Sequence, residues 1–120
     1  PAMAGSVSMV VFTVYSAGLA NEVAVVTDGQ LSGLVNKGLV VGEVSPEAAV
    51  GGPLGLVRDG DRIAIDLDAR SLDLDVSEQE LAARREALGE VPMKKSRGYL
   101  AIYRRAVQSM STGAVLGRTE

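Results

Sequence analysis

The chain has 120 residues, the size of one domain or of a piece of one, and its 47% hydrophobic and 22% charged residues are ordinary for a globular domain. Its net charge of -3 argues against nucleic acid as a partner, because phosphate binding requires a concentrated positive surface. It contains neither cysteine nor histidine, which excludes disulfides, thiolate ligation of zinc or of an iron–sulfur cluster, and Ser-His catalysis from within the chain itself. The lack of cysteine also fits a cytoplasmic location, which we expect. No window approaches the roughly 20 apolar residues of a membrane span, so we expect no membrane partner.

We expect residues 1–120 to form a single domain, with residues 108–120 as a loosely ordered tail that docks or frays. The chain begins at Pro1 without an initiator Met, which suggests a processed or excised fragment. One basic cluster is interpreted as a solvated helix face and the loop before it. That cluster consists of Lys94, Lys95, Arg97, Arg104 and Arg105.

Residues 6–19 are compatible with two structures. Their β-branched content favours a strand, whereas their length, apolar spacing and Ser6 as N-cap favour a helix. We favour a helix, with Gly18 as its C-cap. Residues 23–26 and 39–44 are apolar runs bounded by polar and glycine residues, and they predict two strands.

A short helix is predicted after the second strand. Ser45 is suited to be its N-cap, Pro46 to be its first residue and Glu47 to stabilise its first turn. Residues 51–53, Gly-Gly-Pro, end it, and residues 54–57 predict a further short strand.

The second half of the chain predicts a hairpin followed by two helices. Residues 62–67 and 71–76 alternate apolar and polar side chains, the pattern of a half-buried antiparallel hairpin whose apolar face turns inward. Ser77 and Glu80 form a capping box at the start of the next helix, and residues 99–107 predict the last one. A strand-rich centre flanked by helices predicts an α/β domain, with a mixed sheet or small barrel and helices packed outside.

The stretch from Thr27 to Gly38 is the most informative for chemistry. It is a polar, glycine-containing loop directly after a predicted strand, where α/β folds often place reactive groups. Ser32 lies between Leu31 and Gly33, so little bulk crowds one side of its hydroxyl, and Asp28 lies at the end of the strand. The alternative is an ordinary turn in which Asp28 accepts a local backbone hydrogen bond.

The remaining charged residues have simpler interpretations. Glu43 and Glu47 suit a carboxylate pair or a magnesium site, but a solvated Glu43 and a helix-stabilising Glu47 are the simpler interpretation. Lys37 suits an anion site, but a lone loop lysine is more often solvated. The aspartates of the turns and strands lack the spacing of a calcium loop and are interpreted as solubilising. These are Asp59, Asp61, Asp66, Asp73 and Asp75.

Three ordered blocks follow one another along the chain. They read T-D-G-Q-L-S-G at residues 27–33, G-L-V-V-G-E-V-S-P-E-A at residues 38–48 and G-G-P-L-G-L-V-R-D-G-D at residues 51–61. They resemble the T-D-G-R-F-S-G, G-x-x-V-G-H-V-S-P-E-A and G-G-P-I-A-L-V-x-D-G-D segments of the dihydroxy-acid/phosphogluconate dehydratase family. Ordered blocks are more specific than any single motif, so the chain is identified as a member of this family.

The resemblance implies the swivelling β/β/α C-terminal domain of an enzyme that dehydrates 2,3-dihydroxy acids or sugar acids to 2-keto acids. It implies an iron–sulfur cluster and Mg²⁺ in the complete enzyme, held by a cluster-bearing N-terminal domain, and no cofactor in this chain. That domain, a small dihydroxy or sugar acid and further copies in a homo-oligomer are the implied partners. The base of the family is a serine alkoxide, which Ser32 matches, and the implied substrate-binding residues are Asp28, Gly29, Ser32 and Gly33.

Several positions depart from the family pattern. Gln30 replaces an Arg, Leu31 replaces a Phe, and Glu43 stands where many members have His. Gly5 occupies the place of a magnesium-ligating Glu, so no metal ligand is predicted here. The alternative is a non-catalytic swivelling domain that binds a small acid or a partner protein. An enzyme complete in itself is disfavoured by the lack of Cys and His.

Overall fold

The structure is a computed structural model that describes residues 4–91 and 97–117, with only the backbone described at residues 4 and 5. The described α-helices are α1 (Ala4–Ser16), α2 (Glu78–Leu88) and α3 (Tyr99–Ala106). The described strands are β1 (Val25–Val26), β2 (Val40–Val41), β3 (Ile63–Asp66) and β4 (Ser71–Leu74). Short 3-10 helices lie at Ala48–Val50, Pro53–Leu56 and Met110–Thr112.

The ambiguous first segment forms a helix, as expected. Helix α1 ends at Ser16, and the following Gly18 adopts the left-handed φ of 76° that a glycine tolerates without strain. The Gly18 N–H donates to the carbonyl of Tyr15 at 3.0 Å. Helix α1 carries no charged residue, and its exposed polar residues are Ser6, Thr13, Tyr15 and Ser16.

The first two strands form a parallel pair, β1 beside β2, in which Val25 is opposite Val40 and Val26 is opposite Val41. Both are shorter than predicted. The ladder continues beyond the strand ends, because the N–H of Thr27 donates to the carbonyl of Val41 at 2.9 Å. Parallel strands require a crossover connection, most often a helix. Here the crossover is made by the loop from Thr27 to Gly38, the stretch identified above as the most informative for chemistry.

The predicted hairpin is confirmed. Strands β3 and β4 pair antiparallel, with Ile63 opposite Leu74 and Ile65 opposite Leu72, so the alternating apolar residues share one face. Ile63 at the start of β3 and Leu67 at the turn are exceptions to the inward apolar face, since both are exposed.

Two predictions for the middle of the chain are wrong. Residues 54–57 are not a strand, because Pro53 begins a 3-10 turn in which the N–H of Gly55 donates to the carbonyl of Gly52 at 3.1 Å. Ser45 is not a helix N-cap. The Ser45–Pro46 peptide bond is cis, and the 3-10 helix begins only at Ala48.

The capping box of α2 is confirmed, since the Ser77 hydroxyl accepts the N–H of Glu80 at 3.2 Å. One turn later, Arg84 joins this helix to the hairpin. Its guanidinium donates to Asp61 at 3.1 Å, to Glu80 at 2.7 Å and to the Leu56 carbonyl at 3.1 Å. The interpretation of Asp61 as merely solubilising is therefore wrong.

The contact between Asp61 and Arg84 favours the ionised form of both side chains. The hydrogen bond from Arg84 is the largest cause that lowers the pKa of Asp61, and the N–H of Arg58 acts in the same direction. The same bond, with the one to Glu80, raises the pKa of Arg84. Both side chains of the Arg84–Asp61 pair are only 10% exposed, so solvent screens them less than a surface pair.

The described residues form an α/β domain with one parallel and one antiparallel pair of strands, and the expected small barrel does not close within this part of the chain. The buried apolar core among these residues is small and consists of Val11, Leu56 and Leu81. Within the same ranges, no helix has the length and apolar character needed to cross a lipid bilayer.

The last described segment folds back on itself. Helix α3 confirms the predicted final helix, and its Leu100 side chain is exposed. Val107 forms an isolated antiparallel bridge with Leu116, and the N–H of Gln108 donates to the carbonyl of Val115 at 2.9 Å. Residues 118–120 and the lysines of the basic cluster, Lys94 and Lys95, lie outside the described residues.

Candidate functional site

The start of the loop after β1 lies beside the segment that follows β2 and is hydrogen-bonded to it. The N–H of Val44 donates to the Thr27 carbonyl and the N–H of Glu43 to the Gly29 carbonyl, each at 3.1 Å. The Thr27 hydroxyl accepts the N–H of Gly29 at 2.9 Å. Gly29 is buried as a result, and the backbone at the start of the loop is fixed by contacts on both sides.

Asp28 makes a long-range contact rather than a local turn. Its Oδ2 accepts the backbone N–H of Ala48 at 2.8 Å, which is the first N–H of the 3-10 helix that Ser45 was expected to cap. A carboxylate at this place satisfies a backbone donor that the helix itself leaves without a partner. Asp28 therefore connects the loop to the next structural unit of the chain.

Ser32 is held through its backbone, with its side chain half-buried. Its N–H donates to the hydroxyl of Ser8 on α1 at 3.1 Å, and its carbonyl accepts the N–H of Val35 at 3.0 Å. Its own hydroxyl oxygen accepts the N–H of Leu34 at 3.3 Å. A hydroxyl oxygen has two lone pairs, so one remains for a further interaction.

The neighbours of Ser32 leave room on one side of it, as the sequence predicts. A methyl group placed at Gly33 would meet no atom within 4 Å. On the other side, the Leu31 side chain packs against Gly42, where an added methyl would lie 2.5 Å from Leu31 Cδ1. Leu31 thus fills the space between the loop and Gly42, while Gly33 has open space where a side chain would lie, its two chain neighbours aside.

Apolar side chains are exposed on the loop and on helix α1. A cleft of about 340 Å³ between α1 and β1 is lined by Ser6, Val7, Val10, Val25, Val26 and Thr27. Leu34 is 76% exposed, and Met9 and Tyr15 on α1 are also exposed.

Lys37 has a partner within the loop region. Its Nζ lies 5.5 Å from the ring centroid of Tyr15, a cation–π contact between the end of the loop and α1. The interpretation of Lys37 as merely solvated is therefore incomplete.

Glu47 does not form the carboxylate pair that was considered with Glu43. Glu47 is only 6% exposed, and its two carboxylate oxygens accept the N–H of Met110 at 3.2 Å and the hydroxyl of Ser109 at 3.4 Å. Burial raises the pKa of Glu47, but hydrogen bonds from Met110, from its own backbone and from Ser109 outweigh burial and lower it. Glu43 is exposed and has a left-handed φ of 58°.

The donor set does not fit the cofactors that the resemblance implies. The chain has no thiol and no imidazole, and within the described residues no group of three or more carboxylates converges on a point that could hold a metal ion. Gly5, at the place of the magnesium-ligating Glu, brings no side-chain ligand. An iron–sulfur cluster or Mg²⁺ would depend on residues outside this chain.

The sequence pattern of the family described as "Dihydroxy-acid/6-phosphogluconate dehydratase C-terminal" matches residues 1–114. The chain therefore belongs to the dihydroxy-acid/6-phosphogluconate dehydratase family, as its C-terminal domain. It is 53% identical over 105 residues to a dihydroxy-acid dehydratase of Chloroflexus aurantiacus, covering 88% of this chain and 18% of that protein.

Two further relatives carry the same name. A dihydroxy-acid dehydratase of Clavibacter michiganensis is 50% identical over 101 residues, which cover 84% of this chain and 18% of the relative. One from Leifsonia xyli is 48% identical over 105 residues, which cover 88% of this chain and 18% of the relative. The chain thus spans about a fifth of the length of these relatives.

Ser8 was not among the predicted site residues, but its hydroxyl is hydrogen-bonded to the backbone of Ser32. A signal was present, because Ser8 is flanked by Val7 and Met9 in an otherwise apolar and uncharged segment. Nothing in the sequence named its partner, which lies 24 residues away.

Proposed function

We propose that this chain is the catalytic-loop domain of a hydro-lyase that converts a 2,3-dihydroxy acid or a sugar acid to a 2-keto acid. Ser32 is the base of that reaction. The observation that carries the proposal is the state of Ser32: its backbone is fixed by hydrogen bonds to Ser8 and Val35, while its half-buried hydroxyl has a lone pair left after accepting the N–H of Leu34. Membership of the family and the names of the relatives support the same reaction class.

In the proposed reaction, the Ser32 oxygen removes the proton from C2, the carbon that carries the carboxylate. The electron pair of that C–H bond forms the C2–C3 double bond, and the 3-hydroxyl leaves and takes up a proton to become water. The resulting enol, which retains the 2-hydroxyl, tautomerises to the 2-keto acid. Each atom of the substrate is thereby found in the keto acid or in water.

Ser32 requires help to act as a base, because a serine hydroxyl is not ionised at neutral pH without a positive field or a metal ion close to it. Within residues 4–91 and 97–117, no three carboxylates come together to form a donor set for such a centre. We therefore assign to this chain the placing of the base, and to the remainder of the enzyme the groups that make Ser32 basic and assist the departure of the 3-hydroxyl.

The other expected substrate-binding residues have separate tasks in this proposal. Asp28 and Gly29 fix the entry to the loop through their contacts with Ala48 and Glu43. Gly33 supplies the open space in which a substrate carbon can approach Ser32, since it has no side chain to block that side.

The apolar surface around the loop supports a further part of the proposal, that another domain of the same enzyme covers this site. Met9 and Tyr15 on the uncharged helix α1 are exposed, and so is Leu34 in the loop. Closing an active site in this way removes water from it, which strengthens the electrostatic interactions inside. The proposed occupant is the cluster-bearing N-terminal domain.

The test is a Ser32→Ala substitution in the full-length enzyme, assayed on a panel of dihydroxy and sugar acids. We expect kcat to fall by about 10³-fold or more, as for loss of a proton-transferring group, with an unchanged melting temperature. Ser16→Ala is the matched control, because this exposed serine lies at the end of α1. If the Ser32→Ala enzyme retains normal turnover, Ser32 is not the base.

A further inference from the structure

Helix α1 brings one buried hydroxyl to the loop that carries Ser32. Ser8 is 4% exposed, although Met9 beside it is 62% exposed. A buried hydroxyl in apolar surroundings is costly unless it is hydrogen-bonded. The Ser8 Oγ accepts the backbone N–H of Ser32 at 3.1 Å, so the group is placed where it binds one particular residue of the loop.

The hydrogen bond that Ser8 accepts from Ser32 joins two separate parts of the chain, whereas two further hydrogen bonds of Ser32 are local. The N–H groups of Leu34 and Val35 donate to the Ser32 hydroxyl and carbonyl, and both bonds stay inside the loop. They close the turn but do not fix its position relative to the rest of the domain. The bond to Ser8 joins the loop to α1 at the residue that carries the proposed base.

We propose that Ser8 is a positioning residue of the dehydratase, which holds the backbone of Ser32 so that its oxygen faces C2 of the substrate. The inference rests on the function proposed above. Ser8 acts through Ser32 and touches no reacting atom. Its removal affects the geometry of proton transfer more than the binding of the acid, and a misplacement of about 1 Å at a reacting group costs roughly 100-fold in rate.

The experiment compares three variants of the full-length enzyme with the wild type: Ser8→Ala, Ser8→Thr and Thr13→Ala. Thr is the conservative variant, since it keeps a hydroxyl that can accept the Ser32 N–H. Thr13→Ala is the matched control, because Thr13 lies on the same helix and its hydroxyl donates to the Met9 carbonyl at 2.8 Å, away from the loop. Two quantities are measured: kcat and KM on the best substrate, and site-resolved hydrogen exchange of the Ser32 amide.

For Ser8→Ala we expect kcat to fall by about 10- to 100-fold with KM changed by less than about twofold, and the Ser32 amide to exchange faster. Ser8→Thr recovers most of the kcat and of the protection, and Thr13→Ala resembles the wild type in both. Wild-type kcat and slow exchange in Ser8→Ala overturn the inference. Should Ser8→Ala fail to fold, rapid exchange of the Ser32 amide in the folded wild type overturns it equally.

The two proposals fail in different ways. If Ser32→Ala is inactive while Ser8→Ala is fully active, the base assignment stands and the positioning role is wrong. If Ser32→Ala is fully active, the proposed function is wrong, and the positioning role in catalysis falls with it. The exchange of the Ser32 amide then still reports whether the contact with Ser8 exists.

Discussion

The carboxylate of Asp28 accepts the backbone N–H of Ala48 at 2.8 Å, across 20 residues of the chain. This bond supplies the helix cap that the nearby Ser45 does not provide. It leaves Glu47, the residue directly before Ala48, to turn its own carboxylate towards Ser109 and Met110. The loop after β1, the 3-10 helix and the C-terminal segment are thereby linked by two acidic side chains.

The first prediction concerns that cap. Asp28→Ala removes the acceptor and leaves the Ala48 N–H without its partner, so we expect the free energy of unfolding to fall by about 1 kcal/mol. Asp28→Asn keeps a side-chain oxygen and should cost less. Urea unfolding of the chain measures both, with Asp68→Ala in an exposed turn as the control. Equal stability of the Ala and Asn variants would contradict the capping role.

The second prediction concerns the pH dependence of stability through Glu47. Because its pKa in the folded chain lies below the ordinary value of 4.5, its ionised form stabilises the fold above that value. That contribution is lost as the pH falls through the lowered folded pKa. Glu47→Gln cannot ionise, so we expect it to cost about 2 kcal/mol at pH 7 and progressively less below pH 4.5.

Urea unfolding of the wild type and of Glu47→Gln between pH 6 and pH 3 measures this difference. Comparing the two proteins at each pH cancels other acidic groups that titrate in the same range, such as Asp61. A gap between the two proteins that stays constant over the whole range would show that Glu47 does not act through its charge.

The third prediction concerns Gly52, which lies where the chain passes close to itself. A methyl group added there would overlap the carbonyl oxygen of Pro46, and backbone atoms cannot move aside as the end of a side chain can. We expect Gly52→Ala to lower the free energy of unfolding by about 3 kcal/mol. Gly33→Ala, which adds the same methyl in open space, should leave stability nearly unchanged, and a similar loss in both variants would refute this explanation.

The fourth prediction concerns Arg84 on α2. Its planar guanidinium donates to Asp61, to Glu80 and to the Leu56 carbonyl, which a lysine ammonium cannot reproduce with the same geometry. We expect Arg84→Lys to lower the midpoint of thermal unfolding clearly. Arg85→Lys, at the neighbouring exposed position, should change it little. If both substitutions have the same effect, this cluster does not join the helix to the hairpin.

The elements that sequence analysis predicted well are those whose causes are local. The hairpin follows from alternation on either side of a turn, and the start of α2 follows from Ser77 and Glu80, three residues apart. The 3-10 helix at Pro53–Leu56 was missed, because a short apolar run satisfies a strand pattern as well as a tight turn.

The same distinction applies to the site. The loop from Thr27 to Gly38 was identified from its residues and from its resemblance to the family. The roles of Ser32 as base and of Asp28 and Gly29 at the substrate stay predictions. The structure shows a long-range contact of Asp28 in place of the local turn considered for it, and a contact with Tyr15 for Lys37, which was interpreted as solvated.

The amino-acid sequence by itself determined the family, the serine-bearing loop and the elements whose hydrogen bonds close within a few residues. Only the tertiary structure decided which distant groups meet: Ser8 with Ser32, and Glu47 with Met110. The physical reason is that a side-chain hydroxyl or carboxylate can accept any backbone N–H within about 3 Å. Which N–H comes that close depends on how the whole chain packs, and no local pattern encodes it.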